Sequence, residues 1–216
     1  FVHYWMHNGF ININNEKMSK SAGNFFTIRD LSKKYDLEVI RMFMLLSHYR
    51  SPLNYSPELI NQASSSLDRL YNSISQLNIL IDNSTSFDSE IDNNFKTAVE
   101  KLKGSFKDSM DDDLNTADAI AAMFDFAKYV FSVKENTISR NTLIYAKETM
   151  YDLADVLGIL RKREESIPDQ IQDLLDKRQE ARLNKDFKLS DTLRNEIESL
   201  GFTVEDTKLG QKVKRK

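Results

Sequence analysis

Residues 56–81, SPELINQASSSLDRLYNSISQLNILI, decide the fold class. Ser56 can accept from the first free backbone N–H groups of a helix, and Pro57 stands at the first helical position, where its missing N–H costs nothing. Leu67, Leu70, Tyr71, Ile74, Leu77 and Ile81 then recur at helical spacing and carry one amphipathic helix to about residue 81. Upstream, Leu31, Tyr35, Val39, Met42, Phe43 and Leu46 predict a helix over 30–48, ended by the Arg50-Ser51-Pro52 turn. Downstream, the polar residues 82–86 predict a loop and a first boundary. Phe95, Val99, Leu102 and Phe106 begin another helix. Asn115 and Thr116 can cap the next, with Asp118 in its first turn and Ile120, Met123, Phe124, Ala127 and Phe131 on its inner face. Leu143, Met150, Leu153 and Leu157 mark a further one.

After a charged linker at 161–166, Ile171, Leu174, Leu175 and Ala181 predict one helix, and Leu189, Leu193, Ile197 and Leu200 another. Gly201 is expected to cap it in the left-handed conformation. Phe202-Thr203-Val204 then alternates as a strand, Gly210 offers a turn and Val213 begins a return strand. Residues 1–29 read differently, because the alternation in 10–14 and a serine-rich charged stretch predict a strand or hairpin followed by a mobile loop. The expectation is a mainly α protein divided at 1–29, 30–82, 83–163 and 164–216, the last unit being small and mixed α/β.

Composition agrees. The 216 residues include 6 glycines and 3 prolines, and scarcity of the two residues that interrupt helices most argues against a sandwich or barrel. Cysteine is absent, which removes disulfides, thiol nucleophiles and thiolate metal sites from this chain and fits a reducing compartment. With 30 basic and 33 acidic side chains the net charge is −3, so any attraction for nucleic acid or anionic lipid must be local. The basic residues at 212–216 are one such place, suited to salt-sensitive phosphate attraction without sequence selectivity. No apolar run approaches the length of about 18 residues that a membrane helix needs, and the mean hydropathy is −0.50. The sequence reads as soluble and cytoplasmic. Its opening, Phe-Val-His-Tyr-Trp, is expected to belong to something longer.

The string that carries chemistry is Lys17-Met18-Ser19-Lys20-Ser21, followed by Ala22-Gly23-Asn24. Two lysines three apart in a hydroxyl-rich loop can place two ammonium groups and several donors around a polyphosphate. A solvated basic turn is the competing reading. Three adjacent carboxylates, Asp111, Asp112 and Asp113, read as solvated groups ahead of a capped helix rather than as a metal cluster.

This string resembles the second signature of class I aminoacyl-tRNA synthetases. Its flanks, YWMHNGF at 4–10, EKMSKSAGNFFTIRDL at 16–31, HYRSPLNYS at 48–56 and MDDDLNT at 110–116, are similar to cysteinyl-tRNA synthetases. So are Ala181-Arg182, Lys185-Asp186-Phe187, Asp191, Gly201-Phe202 and Val204-Glu205-Asp206-Thr207 in the tail. The similarity covers essentially the whole chain and the second half of the family's length.

The resemblance implies adenylation of cysteine with ATP, as its magnesium complex, and transfer of the cysteinyl group to tRNA(Cys). Residues 1–29 would end the catalytic domain, 30–82 contact the stem, 83–163 form an anticodon-binding bundle and 164–216 read the anticodon. Lys20 is then the first choice and Lys17 the second for the charge gathering on the α-phosphate and pyrophosphate. Ser19 and Ser21 would donate or brace, Gly23 would allow movement and Met18 would anchor the loop. Arg182, Phe187, Asp191 and Asp206 match positions through which the family reads the anticodon, by donation, stacking and acceptance. The family more often has Trp at the positions of Phe187 and Val213. The first signature and the ligands of a cysteine-selecting zinc are expected in the N-terminal half, so this piece alone is expected neither to adenylate cysteine nor to bind zinc. His3, His7 and His48 are expected to pack or hydrogen-bond. A monomer is expected. Two other readings remain open: a free-standing tRNA-binding module, which a phosphate-closing loop disfavours, and a ligase joining cysteine to a sugar amine, which should lack the anticodon-reading tail.

Overall fold

The computed structural model describes every residue except 1, 15, 20, 22–24, 163–168, 185, 208–209 and 216. Lys20 and Gly23, together with most of the charged linker, lie outside the described residues. The chain forms two compact units, Phe1–Arg161 and Lys162–Lys216.

The first unit begins with strands β1 (Ile11–Ile13) and β2 (Glu16–Lys17), followed by helices α1 (Ile28–Leu31) and α2 (Leu37–Leu45) and strand β3 (Leu53–Tyr55). Four longer helices complete it: α3 (Pro57–Asp82), α4 (Ser89–Asp111), α5 (Thr116–Ser132) and α6 (Arg140–Leu157). Strand β1 lies between β2, antiparallel through Asn12↔Lys17, and β3, parallel through Asn12↔Asn54. Helix α3 starts as its sequence dictates, with Ser56 Oγ accepting from Leu59 N–H and Pro57 in the first turn. It buries Ile60, Leu67, Leu70, Ile74, Leu77 and Ile81. These side chains share one apolar core with Val39, Met42 and Phe43 of α2, Phe95 and Phe106 of α4, Met123 of α5 and Met150 of α6. The core is continuous across the 82/83 loop.

Two readings are corrected here. The helix expected over 30–48 is two helices, because Thr27 and Asp30 close a capping box on α1 and Asp36 caps α2 by accepting from Glu38 N–H at 2.9 Å. On α5, Phe131 is 53% exposed, while Phe126 and Val130 are buried instead. The buried stripe is Ala119, Ile120, Met123, Phe126, Ala127 and Val130, rotated slightly from the expected one.

Asp92 on α4 is a buried anion. Its carboxylate pairs with Lys96 Nζ at 2.8 Å and accepts from Ser139 N–H at 3.0 Å. Burial pushes this carboxyl upward, but Lys96, the Ser139 backbone and the Thr142 hydroxyl outweigh it and hold the pKa at about 2, against 3.8 for a free Asp. The folded state therefore binds fewer protons than the unfolded one. The resulting stabilisation is about 2 kcal/mol, complete above pH 3.8 and lost as the pH falls toward 2. Asp92→Asn is expected to lower the melting temperature at pH 7 and to flatten the acid limb between pH 4 and 2, by scanning calorimetry. An acid limb identical to that of the unsubstituted protein would overturn the assignment.

The second unit packs α7 (Asp169–Leu183) and α8 (Phe187–Ser199) on a hairpin of β4 (Phe202–Thr207) and β5 (Gly210–Arg215). Its core is Ile171, Leu174, Leu175, Leu193, Ile197 and Val204. Gly201 adopts φ +89°, the left-handed cap that the sequence predicts, and Val204 faces Val213 across the hairpin. Leu189 and Leu200, expected on the inner face of α8, are exposed at 46% and 41%. That face is Ser190, Leu193 and Ile197.

Candidate functional site

The hairpin delivers the lysine-serine string. Pairing of Lys17 with Asn12 ends β2 at Lys17, so Met18, Ser19 and Ser21 follow the strand directly. The Lys17 ammonium group lies 5.6 Å from the centroid of the Phe10 ring. Ser19 and Ser21 hydroxyls share a hydrogen bond of 3.2 Å across Lys20. The far end of the loop is pinned twice. Phe26 packs on Tyr55 of β3 with ring centroids 4.7 Å apart, and Tyr55 meets Phe43 of α2 edge-on at 6.1 Å. Thr27 then closes the capping box: its N–H and hydroxyl donate to Asp30 Oδ2 at 3.1 and 2.7 Å. Those donors and Lys33 bring the Asp30 pKa to about 2. Lys17, at the end of β2, and Ser21 are exposed. Exposed lysine and serine side chains of this kind can present a cation and a hydroxyl to an anion.

The sheet beneath it is seated by a close backbone approach. Gly9 N–H donates to Tyr49 C=O at 2.7 Å, and a Cβ on Gly9 would lie 2.2 Å from the Ser51 carbonyl oxygen. Only glycine fits there. The adjoining turn also meets the aspartates. Tyr49 Oη donates to Asp113 Oδ1 at 2.8 Å, and Arg50 Nε pairs with Asp113 Oδ2 at 3.0 Å. Asp113 is therefore paired rather than simply solvated, whereas Asp111 pairs with Lys107 along α4 and Asp112 is exposed. His48 stacks on Tyr49 at 4.8 Å and hydrogen-bonds the Asp113 carbonyl through Nε2 at 3.1 Å.

In the second unit the anticodon-reading candidates fall into two groups. Phe187, the first residue of α8, is 64% exposed, so its ring is available for stacking, and Asp191 is exposed one turn on. Arg182 and Asp206 are instead an ion pair. Asp206 also receives a two-pronged contact from Arg178, Nη1 to Oδ1 at 2.9 Å and Nη2 to Oδ2 at 3.0 Å. Arg178, then Arg182, hold the Asp206 carboxyl at about 2. Arg178 is 2% exposed, and Gln211 accepts from its Nη1. The sequence reading missed Arg178. A signal exists, since it continues the buried 171, 174, 175, 178, 181 spacing, where a charged residue needs a buried partner. Val213 contributes to the small core beside Val204.

The sequence has no cysteine, and among the described residues no group of three His, Asp or Glu side chains is placed to hold a metal ion. No helix among the described residues is long and apolar enough to cross a membrane.

Three family models match in succession. Residues 1–65 match the class I (C) catalytic domain of tRNA synthetases, 105–161 the DALR domain, and 158–213 the cysteinyl-tRNA ligase anticodon binding domain. The chain is 47% identical over 218 residues to a cysteine–tRNA ligase of Caldicellulosiruptor saccharolyticus, covering 100% of this chain and 46% of that protein. It is 44% identical to one from Clostridioides difficile, covering 100% and 47%. With one from Finegoldia magna it shares 43% identity, covering 97% and 45%. The chain thus spans just under half the length of these relatives. Catalytic-domain, DALR and anticodon-domain matches follow in this order on a chain whose relatives align along all of it, so the chain matches the C-terminal region of cysteine–tRNA ligases throughout its length.

Proposed function

We propose that the full-length protein bearing this chain activates cysteine with ATP and transfers it to tRNA(Cys). In the first step the cysteine carboxylate attacks the α-phosphorus, the bond to the bridging oxygen breaks, and pyrophosphate leaves. Lys20 and Lys17 are the cations that neutralise charge gathering there, with Ser19 and Ser21 as hydroxyl donors and Met18 as the anchor. The observation that carries this reading is the lysine-serine string leaving β2 at Lys17, with Thr27 fixed beyond it by Asp30 and a close backbone approach before β1 that admits only glycine at position 9. ATP acts as its magnesium complex.

In the same reading, 1–29 closes the catalytic domain, 30–82 meets the stem, and 83–163 and 164–216 engage the anticodon arm. Phe187 stacks on an unstacked base, Arg182 and Asp191 meet phosphate or base edges, and Asp206 orients Arg182 while offering its free lone pairs. The protein is read as a cytoplasmic monomer.

Charging assays with the full-length protein test this. Cysteine is expected to be attached to tRNA(Cys), with kcat/KM falling about 100-fold or more when an anticodon base is changed, since lost polar and stacking contacts cost about 1–3 kcal/mol each. Charging with another amino acid would overturn the substrate assignment. Equal charging of anticodon-substituted tRNA would remove recognition from 164–216.

A further inference from the structure

We propose that Asp113 is a positioning residue for the start of the lysine-serine loop, Lys17 at the end of β2, acting from the α4–α5 turn through Tyr49 and Arg50. This deepens the proposed nucleotide role of that loop and rests on it. Tyr49 is the pivot, because its two ends face opposite partners: its hydroxyl donates to Asp113 Oδ1 at 2.8 Å, while its carbonyl accepts from Gly9 N–H at 2.7 Å. Arg50 adds Nη2 to Oδ1 at 3.2 Å and Nε to Oδ2 at 3.0 Å. His48 adds a third tie. Arg50 N–H donates to His48 Nδ1 at 3.3 Å, which leaves Nε2 to carry the hydrogen toward the Asp113 carbonyl at 3.1 Å. Thr116 closes the other side of the turn by donating to Leu45 C=O at 2.8 Å.

From the pivot the path to the loop is continuous backbone. Leu53 N–H donates to Phe10 C=O at 2.9 Å, Asn14 N–H to Tyr55 C=O at 3.2 Å, and β1 carries β2 with Lys17 at its end. The turn bearing Asp113 is itself held in an unusual shape. Asp113 and Leu114 have φ of +56° and +55°, consecutive left-handed conformations that only surrounding contacts maintain. Asp suits this place because it tolerates the left-handed region and offers two charged oxygens to Tyr49 and Arg50 at once. Positions 49–50 and 113, more than 60 residues apart, are thereby made one unit.

The test uses the full-length protein with Asp113→Ala, and with Asp113→Asn, which keeps the backbone preference and one acceptor but loses the charge. Two readouts are followed: cysteine-dependent ATP–pyrophosphate exchange and amide hydrogen exchange at Gly9 and 11–13. Asp113→Ala is expected to lower the exchange kcat about tenfold with the KM for cysteine unchanged, because a small displacement of a phosphate-contacting group is costly. Hydrogen exchange at Gly9 and 11–13 should accelerate about tenfold, with α3 and α6 protection retained. Asp113→Asn should recover part of both. Unchanged protection at Gly9 and 11–13 in Asp113→Ala would overturn the proposal, as would equal loss of protection throughout α3 and α6 in both variants. If the unsubstituted protein shows no cysteine-dependent exchange, the nucleotide reading fails. Faster hydrogen exchange at Gly9 and 11–13 would then still support the seating of β1 by Asp113.

Discussion

Lys20→Ala in the full-length protein is expected to slow cysteine-dependent ATP–pyrophosphate exchange by about 10²–10³-fold, with a much smaller change in the KM for cysteine. Negative charge builds on the α-phosphate oxygens and on the departing pyrophosphate only as the reaction proceeds. A cation closing on them therefore stabilises the transition state more than the bound substrates. Removal of one preorganised donor to developing charge typically costs about 3–4 kcal/mol, which corresponds to that fold-change. Lys17→Ala should cost less, since the Lys17 ammonium group lies beside the Phe10 ring at the end of β2 and is the second cation in the string. Pyrophosphate-exchange kinetics, with cysteine and ATP varied separately, distinguish the two. An unchanged exchange rate in Lys20→Ala would remove the loop from the chemistry.

Gly9→Ala is the second large effect. The added methyl carbon would lie 2.2 Å from the Ser51 carbonyl oxygen and 2.8 Å from Pro52 N, and both are backbone atoms that no rotamer change can move aside. To relieve the overlap, residues 8–10 must withdraw from 49–52. That loosens the Gly9-to-Tyr49 and Leu53-to-Phe10 hydrogen bonds and the parallel pairing of β1 with β3. Overpacking of this kind costs about 2–3 kcal/mol, and the strand that carries Lys17 moves with it. Gly104→Ala gives the contrasting result. A Cβ there meets nothing within 4 Å, on the exposed side of α4. Replacement of glycine within a helix is expected to stabilise by about 0.5–1 kcal/mol. Thermal unfolding of the two variants side by side measures both signs. If Gly9→Ala unfolds at the parent temperature, the close approach is not a constraint.

Much of the helical architecture was legible because its signals are local. Ser56 and Pro57 start α3, Asn115 starts α5, and Gly201 ends α8, each through contacts within a few residues of itself. The split between α1 and α2 was hidden because Leu31, Tyr35 and Val39 keep an apolar spacing through the intervening turn, so periodicity runs on where the backbone does not. On α5, Phe124 and Phe131 make as good a stripe in one dimension as Phe126 and Val130. The choice was made by the packing of α5 against α3 and α4. Of the candidate site, the lysine-serine string was readable outright, while the pairing of Arg182 with Asp206 was not.

By itself the sequence determined the helical class, the caps and the terminal β-hairpin, since each is written in side chains close to one another along the chain. Only the tertiary structure decided that Tyr49 and Arg50 clasp Asp113, that Arg178 is buried against Asp206, and that position 9 must be glycine. Those pairings join residues from 28 to 64 positions apart. Each carries the entropic cost of closing the intervening chain, and no local pattern of residues records which partners meet.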